Sequence, residues 1–356
     1  MTKKKIKYTV RDQVTQSVLC TISVLFILFG DIPFTHAQVK VYPIERKEAT
    51  AATEPITSSS TARTKGVTPL SLPFWDDFSF TPVNDPDNPD ANYPLPSLWT
   101  EQSRSVWVSN GGVSMPSHHV VSFDGLNRLG LSYSDVTLAN GLCDTLQSQP
   151  IDLSAVPVAD RNTVWLSFFY QWKGNGEPPD KNDFIRLQFL SEDSVWVNQL
   201  DIYPKPSFDP NVFYDTIIQV KQSAQDNFFH DEFQFRFLNR GRKTGPFDTW
   251  NLDYIYLNKG RTITSRSFPD RTMASGLGPL FRRYYDIPIR HYSDAVVDSI
   301  QFDIQSQSDN AIDLVNYTTI LKAANYKDGA TTINEVQKDS TALLFAYQRR
   351  TVSPLK

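Results

Sequence analysis

Between residues 71 and 261, apolar and polar residues alternate in short runs separated by turns rich in Pro, Gly, Asn and Asp. Alternation over four to eight residues predicts strands with one buried face. The runs that show it are SVWVSNGG, HVVSFDGL, CDTLQSQPIDL, TVWLSFFYQW, FIRLQFLS, SVWVNQLDIY, VFYDTIIQV and FQFRFLNRG. No run has the spacing of an amphipathic helix. Eight or more strands in about 190 residues predict an all-β fold, either a β-sandwich or a jelly-roll β-sandwich.

The segments that flank this region have other compositions. Residues 38–70 include a long run of Ala, Thr, Ser and Pro with little to bury, which predicts a flexible linker. Residues 262–286 are rich in Gly, Ser and basic residues, and we interpret them as a connection between domains. Strand-like runs in residues 287–356 predict a partial second β domain. Because the chain stops after such a run, we expect it to be part of a longer protein.

The first 37 residues have the pattern of a cleaved signal peptide. A basic head is followed by an apolar run from Val18 to Phe29, and THA at positions 35–37 offers a small-x-small cleavage site. We therefore predict cleavage after Ala37 and a protein that is secreted or held on the outer cell surface. The alternative is a membrane anchor, but the apolar run is short for a span of roughly 20 residues. We expect no stable membrane insertion after cleavage.

Composition and charge narrow the range of partners. Loss of residues 1–37 removes five basic and two acidic residues, so the net charge changes from −4 to −7. Nucleic-acid binding needs a concentrated basic face, so we expect no nucleic-acid partner. The mature chain keeps one cysteine, Cys143, and can form no internal disulfide. The packing of its hydrophobic core must therefore stabilise the fold.

Several runs, taken in order, resemble the layout of a MAM domain, a jelly roll of concanavalin A-like build. They are CDTLQSQPIDLS, TVWLSFFYQWKGNG, FIRLQFLSEDSVWVNQL, FQFRFLNRG and WNLDYIYL. The paired cysteines of animal MAM domains are missing here. FWDDFS and MPSHHVVSFDGLN are similar to N-terminal modules of Bacteroidota surface proteins exported by the type IX system. The resemblance covers residues 71–261 and implies an exported module for adhesion or recognition.

Acidic residues occur in the first and last strands of this MAM-like layout, which the resemblance places side by side. Asp76 and Asp77 belong to the first strand, and Asp253 lies in the otherwise apolar last strand. Carboxylates brought together repel one another unless a cation or a proton lies between them. We therefore expect these three residues to hold one structural Ca²⁺, which prefers oxygen ligands. The alternative is that Asp253 accepts hydrogen bonds from backbone N–H groups at a sheet end.

Catalytic motifs are absent from the sequence. It contains no G-x-S-x-G and no H-E-x-x-H. We interpret the adjacent residues His118 and His119 as the polar end of a loop before VVSFDG. Adjacent residues of a strand would point to opposite faces, so we do not expect the pair to share a metal. Of the many tryptophans, Trp172 precedes a polar loop and is the predicted exposed ligand contact. The prediction is a non-catalytic protein for adhesion or recognition, with a glycan or a surface protein as partner. The alternatives are a carbohydrate-binding accessory module, a glycan- or peptide-cleaving enzyme and a structural envelope component.

Overall fold

The computed structural model of the protein describes residues 68–355, except residues 86, 224, 283, 285–286, 298 and 326–331. The predicted signal peptide of residues 1–37 and the predicted linker as far as residue 67 lie outside the described residues. Leu70 is already part of the fold, because its N–H donates to the Pro150 carbonyl at 2.7 Å. Within the described part of the chain, no helix is long and apolar enough to cross a membrane.

The expected all-β fold is confirmed, and two antiparallel sheets face each other in its first part. The six-stranded sheet contains β1 Phe74–Asp76, β2 Trp107–Ser109, β3 Val120–Phe123, β5 Trp165–Trp172, β8 Tyr214–Gln219 and β10 Trp250–Asn258. The four-stranded sheet has the order β4 Asn140–Gln147, β9 Phe235–Arg242, β6 Phe184–Leu190 and β7 Trp196–Ile202. The described helices are short: α1 Tyr292–Ala295 and the 3₁₀ helices Glu101–Ser105, Val158–Thr163 and Ile289–His291.

Aromatic rings from the two sheets interlock in the core of this sandwich. Phe168 of the six-stranded sheet meets Phe237 of the four-stranded sheet edge to face, with ring centroids 4.7 Å apart. Trp99 is buried beside Phe74 and Phe235, at 5.2 Å and 5.8 Å. Such edge-to-face pairs contribute about 0.5–1.5 kcal/mol each beyond the burial of their area. A chain without disulfides therefore has a large aromatic core to hold it.

The outer face of the six-stranded sheet is covered by the chain that follows β10. Phe268 is 2% exposed and packs against Trp75 and Tyr254, with ring centroids 5.3 Å and 5.1 Å away. Arg261 donates to Ser167 Oγ at 2.7 Å on the same face. The segment predicted as a connection thus begins as a cover for the sheet, because apolar rings on that face need a partner.

A second β unit follows, formed by β11 Arg271–Met273, β12 Ile300–Ser306, β13 Asp313–Asn325, β14 Thr332–Leu344 and β15 Arg349–Leu355. Strands β11, β12 and β15 form one sheet, and β13 and β14 form a hairpin. β11 lies inside the predicted connection of residues 262–286, since it pairs with β12. The core is small and consists of Phe302, Ile304, Ala342, Leu344 and Val352.

One loop, residues 115–119, joins the sandwich to this second unit. Arg349 donates to the Met115 carbonyl at 3.0 Å, and Gln307 Nε2 donates to the Pro116 carbonyl at 3.2 Å. The same loop donates the backbone N–H of Ser117 to Asp253 at 2.9 Å. The loop of residues 115–119 therefore contacts both Asp253 and the second unit.

Candidate functional site

Asp253 lies where β10 changes its partner strand. Along one edge β10 pairs with β5, and along the other it pairs with β3 up to Leu252 and with β1 from Ile255. The predicted neighbourhood of the first and last strands is confirmed by this β1–β10 pairing. A β-bulge interrupts the β5 pairing after Asp253, and Tyr254 has a φ of 49°. Non-glycine residues rarely adopt this conformation, so the local backbone is strained.

Asp76 belongs to the core and not to the surroundings of Asp253. Its Oδ2 accepts a hydrogen bond from Trp99 Nε1 at 2.6 Å, and its Oδ1 accepts one from Phe78 N at 2.8 Å. Burial raises the pKa of Asp76 to about 7. β1 ends at Asp76, and Asp77 follows it. The hydrogen bonds of Asp76 tie it to Trp99 and Phe78, so Asp77 and Asp253 are left to carry the site predicted from the sequence.

Asp77 and Asp253 interact as two acids without a basic partner. Asp253 is fully buried, and its carboxylate accepts hydrogen bonds from Ser117 N at 2.9 Å and Tyr254 N at 2.7 Å. Asp77 Oδ1 accepts from the backbone N and Oγ of Ser79, at 3.2 Å and 2.7 Å. Burial, and then the charge of Asp77, raise the pKa of Asp253 well above its usual value. No described Lys or Arg forms an ion pair with either acid.

These contacts show that Asp253 is a buried acceptor for backbone N–H groups, as the alternative reading of the sequence held. They also fit the chemistry of a hard cation, since carboxylate oxygens keep further lone pairs and no basic group competes. The two carboxylates would supply only part of the six to eight ligands that Ca²⁺ takes, with carbonyls or water for the rest. The Ca²⁺ therefore stays a prediction, carried by Asp77 and Asp253.

A second acidic group lies at the far end of the four-stranded sheet. Asp180, Asp183 and Asp248 bring carboxylate oxygens within 4.8 Å of one another. Two arginines already lie beside this group: Arg240 pairs with Asp183 at 2.9 Å, and Arg242 Nη2 lies 4.0 Å from Asp180. The backbone N–H of Arg242 also donates a hydrogen bond to Asp248 at 2.6 Å. We assign no metal to this group.

The prediction that Trp172 is exposed is wrong. Trp172 is 4% exposed and stacks on Tyr214, with ring centroids 5.6 Å apart and planes 12° from parallel. Trp250 lies 6.4 Å away on the next strand. Because Trp172 shares the inward parity of Leu166 in the same strand, it packs in the core and offers no surface to a ligand.

His118 and His119 end the loop before β3, as interpreted from the sequence, and their rings lie together with centroids 4.1 Å apart. They precede β3, so the alternation of a strand does not apply to them. Burial, and then the charge of His118, lower the pKa of His119 to about 4. Burial also lowers the pKa of His118.

The outer face of the four-stranded sheet presents a row of planar polar side chains that ends on a tryptophan. Arg236, Gln188 and Asn198 occupy paired positions on three adjacent strands. Arg236 Nε donates to Gln188 Oε1 at 2.8 Å, and Gln188 Nε2 donates to Asn198 Oδ1. The Arg236 guanidinium stacks on the partly exposed Trp196 ring, with its central carbon 4.1 Å from the ring centroid.

Farther along the same face, a second polar row precedes a second aromatic pair. Arg186 donates two hydrogen bonds to Asp201, both at 2.6 Å. Phe184 meets Tyr203 edge to face at 5.6 Å, and Tyr203 is 43% exposed. Tyr203 follows Trp196 by seven positions along the extended chain, which corresponds to roughly 20 Å. We call this surface, from Trp196 across Arg236, Gln188 and Arg186 to Tyr203, the polar face.

The alternation in the sequence places the polar residues of this face together, although the sequence analysis selected Trp172 as the ligand contact. In FQFRFLNRG the apolar residues Phe235 and Phe237 alternate with Arg236, and in FIRLQFL the polar positions are Arg186 and Gln188. The period that buries one set of residues places the other set together on the outside. Which strands lie next to each other does not follow from that period alone.

Comparisons with known proteins give distant likenesses only. No family model matches the sequence, and no curated protein matches it. One similar solved structure is a carbohydrate-binding module specific for non-crystalline cellulose, CBM28, with 12% identity and a TM-score of 0.29 over 45% of this chain and 86% of that one. Another is the CBM22-1–CBM22-2 tandem domain of Paenibacillus barcinonensis Xyn10C, with 8% identity and a TM-score of 0.20 over 72% and 80%. A CBM4 structure has 14% identity and a TM-score of 0.15 over 47% and 91%. Likenesses at these scores carry no conclusion about ligand or mechanism.

Proposed function

We propose that the protein is a non-catalytic carbohydrate-binding protein and that the polar face is its glycan site. The observation that carries this is the hydrogen-bonded row of Arg236, Gln188 and Asn198 beside Trp196. Sugars present hydroxyl groups at ring edges and C–H groups at ring faces. Amide and guanidinium groups can bond the hydroxyls, and aromatic rings can contact the C–H faces.

Rigidity of the polar face supports the proposal. Its side chains stand on three paired strands and hold one another, so little rotamer freedom remains to be lost when a ligand binds. The other sheet's outer face is covered by Phe268 and Arg261 and is not available in the same way. A long ligand could follow the distance of roughly 20 Å between Trp196 and Tyr203.

Export belongs to the proposal as well. The basic head, apolar run and cleavage site of residues 1–37 support secretion or display on the outer cell surface after cleavage behind Ala37. The MAM-like layout supports a module of an exported surface protein, in which glycan binding would provide adhesion or recognition.

Binding of the mature full chain to an array of immobilised glycans tests the proposal. Trp196→Ala and Tyr203→Ala should each weaken retention on the bound glycans about tenfold, because each removes a stacking ring. Tyr347→Ala is the matched control, since Tyr347 is 52% exposed in the second unit. Retention of no glycan, or equal retention by all three variants, would refute the site. Capture of a protein by the same face would instead support protein recognition.

A further inference from the structure

We infer that the polar face selects glycans carrying an anionic oxygen pair, a uronate carboxylate or a sulfate ester, and that Arg236 binds this group. The inference rests on the proposed function of the polar face and adds the ligand's charge to it. The observations that carry it are the two contacts that hold one guanidinium and the absence, among the described residues, of a carboxylate that pairs with it.

Two contacts fix the guanidinium of Arg236. The central carbon of the guanidinium lies over the Trp196 ring, 4.1 Å from its centroid, and Nε donates a hydrogen bond to Gln188 Oε1 at 2.8 Å. Gln188 is held in turn by Asn198. A guanidinium held in this way is pre-organised, because it need not lose torsional freedom when it binds a planar anion.

The two terminal nitrogens of Arg236 have no acceptor among the described residues. The arginine forms no ion pair with any described Asp or Glu, and its one hydrogen bond uses Nε. Two parallel N–H groups of one guanidinium match the oxygens of a carboxylate or a sulfate. The free edge of Arg236 therefore has the geometry of an anion site.

Two other arginines of the four-stranded sheet lack this property. Arg186 donates two hydrogen bonds to Asp201, and Arg240 pairs with Asp183 at 2.9 Å. Each therefore has a carboxylate partner, whereas Arg236 has none among the described residues. Burial lowers the pKa of Arg236 to about 10, so the group remains protonated at neutral pH. A partly buried positive charge without a counter-ion is stabilised by an anionic ligand.

The position of Arg236 indicates how a chain of sugars would lie. Trp196 would contact a ring face at one end, and Gln188 and Asn198 would bond hydroxyl groups next to it. An acidic group on that sugar or its neighbour would reach the free edge of Arg236. A neutral glycan could use the same amides and rings but would leave the guanidinium without its partner, which lowers affinity.

The test compares ligands that differ in charge and share one backbone. Binding of the mature full chain is measured by titration calorimetry with oligogalacturonate and with its neutral methyl ester. A sulfated galactan and its desulfated form provide the sulfate arm. We expect the acidic member of at least one pair to bind about 10- to 100-fold more tightly than its neutral partner. Raising the ionic strength should reduce that ratio.

Variants separate charge from geometry. Arg236→Gln should abolish the preference for the acidic member, and Arg236→Lys should retain part of it, since lysine keeps the charge without the planar fork. Arg350→Gln, at an exposed arginine of β15, should leave the ratio unchanged. Thermal melting of each variant checks that the fold is intact.

The outcomes distinguish glycan binding by the polar face from a preference for anionic glycans. If neutral and acidic glycans bind equally and Trp196→Ala weakens both, the inference fails and the proposed function stands. If Arg236→Gln keeps the full preference for the acidic member, the inference fails as well. If no glycan of either kind binds, both fail.

Discussion

The backbone N–H of Ser117 donates a hydrogen bond to Asp253 Oδ2 at 2.9 Å, although the two residues are 136 positions apart. This contact lies between Leu252, the last residue of β10 that pairs with β3, and Ile255, the first that pairs with β1. Ser117 Oγ also donates to the Asp77 carbonyl at 2.9 Å, so the loop, the first strand and the last strand meet there. A carboxylate in an apolar strand thus satisfies backbone groups that the interrupted ladder leaves unpaired.

Chelation of divalent cations should lower the melting temperature if Asp77 and Asp253 hold Ca²⁺. An ion bound only by the folded state, at a hundredfold excess over its dissociation constant, stabilises it by about 2.7 kcal/mol. EDTA and added Ca²⁺ should therefore give different melting curves for the mature chain. Asp77→Asn and Asp253→Asn should remove the difference, and Asp180→Asn should keep it. An identical curve in EDTA and in Ca²⁺ would refute the ion.

Asp76 should make the protein less stable as pH rises. Its pKa of about 7 in the folded state exceeds the value of 3.8 expected for an exposed Asp, so the folded chain binds the proton more tightly. The free energy of unfolding then decreases between about pH 4 and pH 7, by an amount on the order of a few kcal/mol, and the loss is complete above pH 7. Urea unfolding across this range, in EDTA, measures it.

The control compares the pH dependence of the free energy of unfolding in the wild type and in Asp76→Asn, and not their absolute stabilities. Asp76→Asn places an amide N–H₂ opposite Trp99 Nε1 or Phe78 N and so destabilises the core at every pH. It also removes the titrating group, so its stability should decrease less with pH than that of the wild type. Equal slopes in the two proteins would show that Asp76 does not titrate in this range.

Replacement of Trp172 should destabilise the protein much more than replacement of Trp196. Trp172 is buried against Tyr214, and truncation of a core Trp to Ala costs about 3–5 kcal/mol. Trp196 is partly exposed and loses mainly its stack with Arg236, worth about 1 kcal/mol. Urea unfolding of Trp172→Ala and Trp196→Ala compares them. Similar losses in both would contradict the placement of Trp196 on an outer face.

The alternation of apolar and polar residues in the sequence already indicates that Trp172 is buried, although Trp172 was predicted to be exposed. Within TVWLSFFYQW, Trp172 has the same parity as Leu166, Phe168 and Tyr170, so the strand that was predicted correctly already placed it inside. The error came from giving more weight to the polar loop after Trp172 than to parity.

Other features do not follow from local pattern. The change of partner at Asp253 depends on β3 and β1 sharing one edge of β10, which is a property of topology. The ring contact between His118 and His119 depends on a loop conformation. The polar face needed the strand order β9–β6–β7 before Arg236, Gln188 and Asn198 could be placed in one row.

Phe268 covers the outer face of the six-stranded sheet, so the residues that follow Arg261 should contribute to the stability of the sandwich. Phe268 is 2% exposed and contacts Trp75, Tyr254 and Tyr256, so Phe268→Ala should cost about 3–5 kcal/mol. Phe80→Ala is the matched control: Phe80 is 83% exposed, and its loss should change stability by less than about 0.5 kcal/mol.

The same contacts predict that a chain ending at Arg261 is less stable than one ending at Ser275. Without residues 262–275, the rings of Trp75, Tyr254 and Tyr256 lose their cover, and exposed apolar patches of this kind promote association. Urea unfolding and size-exclusion chromatography of the two truncated chains measure both effects. If the shorter chain is monomeric and as stable as the longer one, residues 262–275 are a connection and not part of the sandwich. Loss of stability in the shorter chain would place the end of the sandwich beyond Phe268, because a sheet face with aromatic rings needs a partner wherever the chain supplies one.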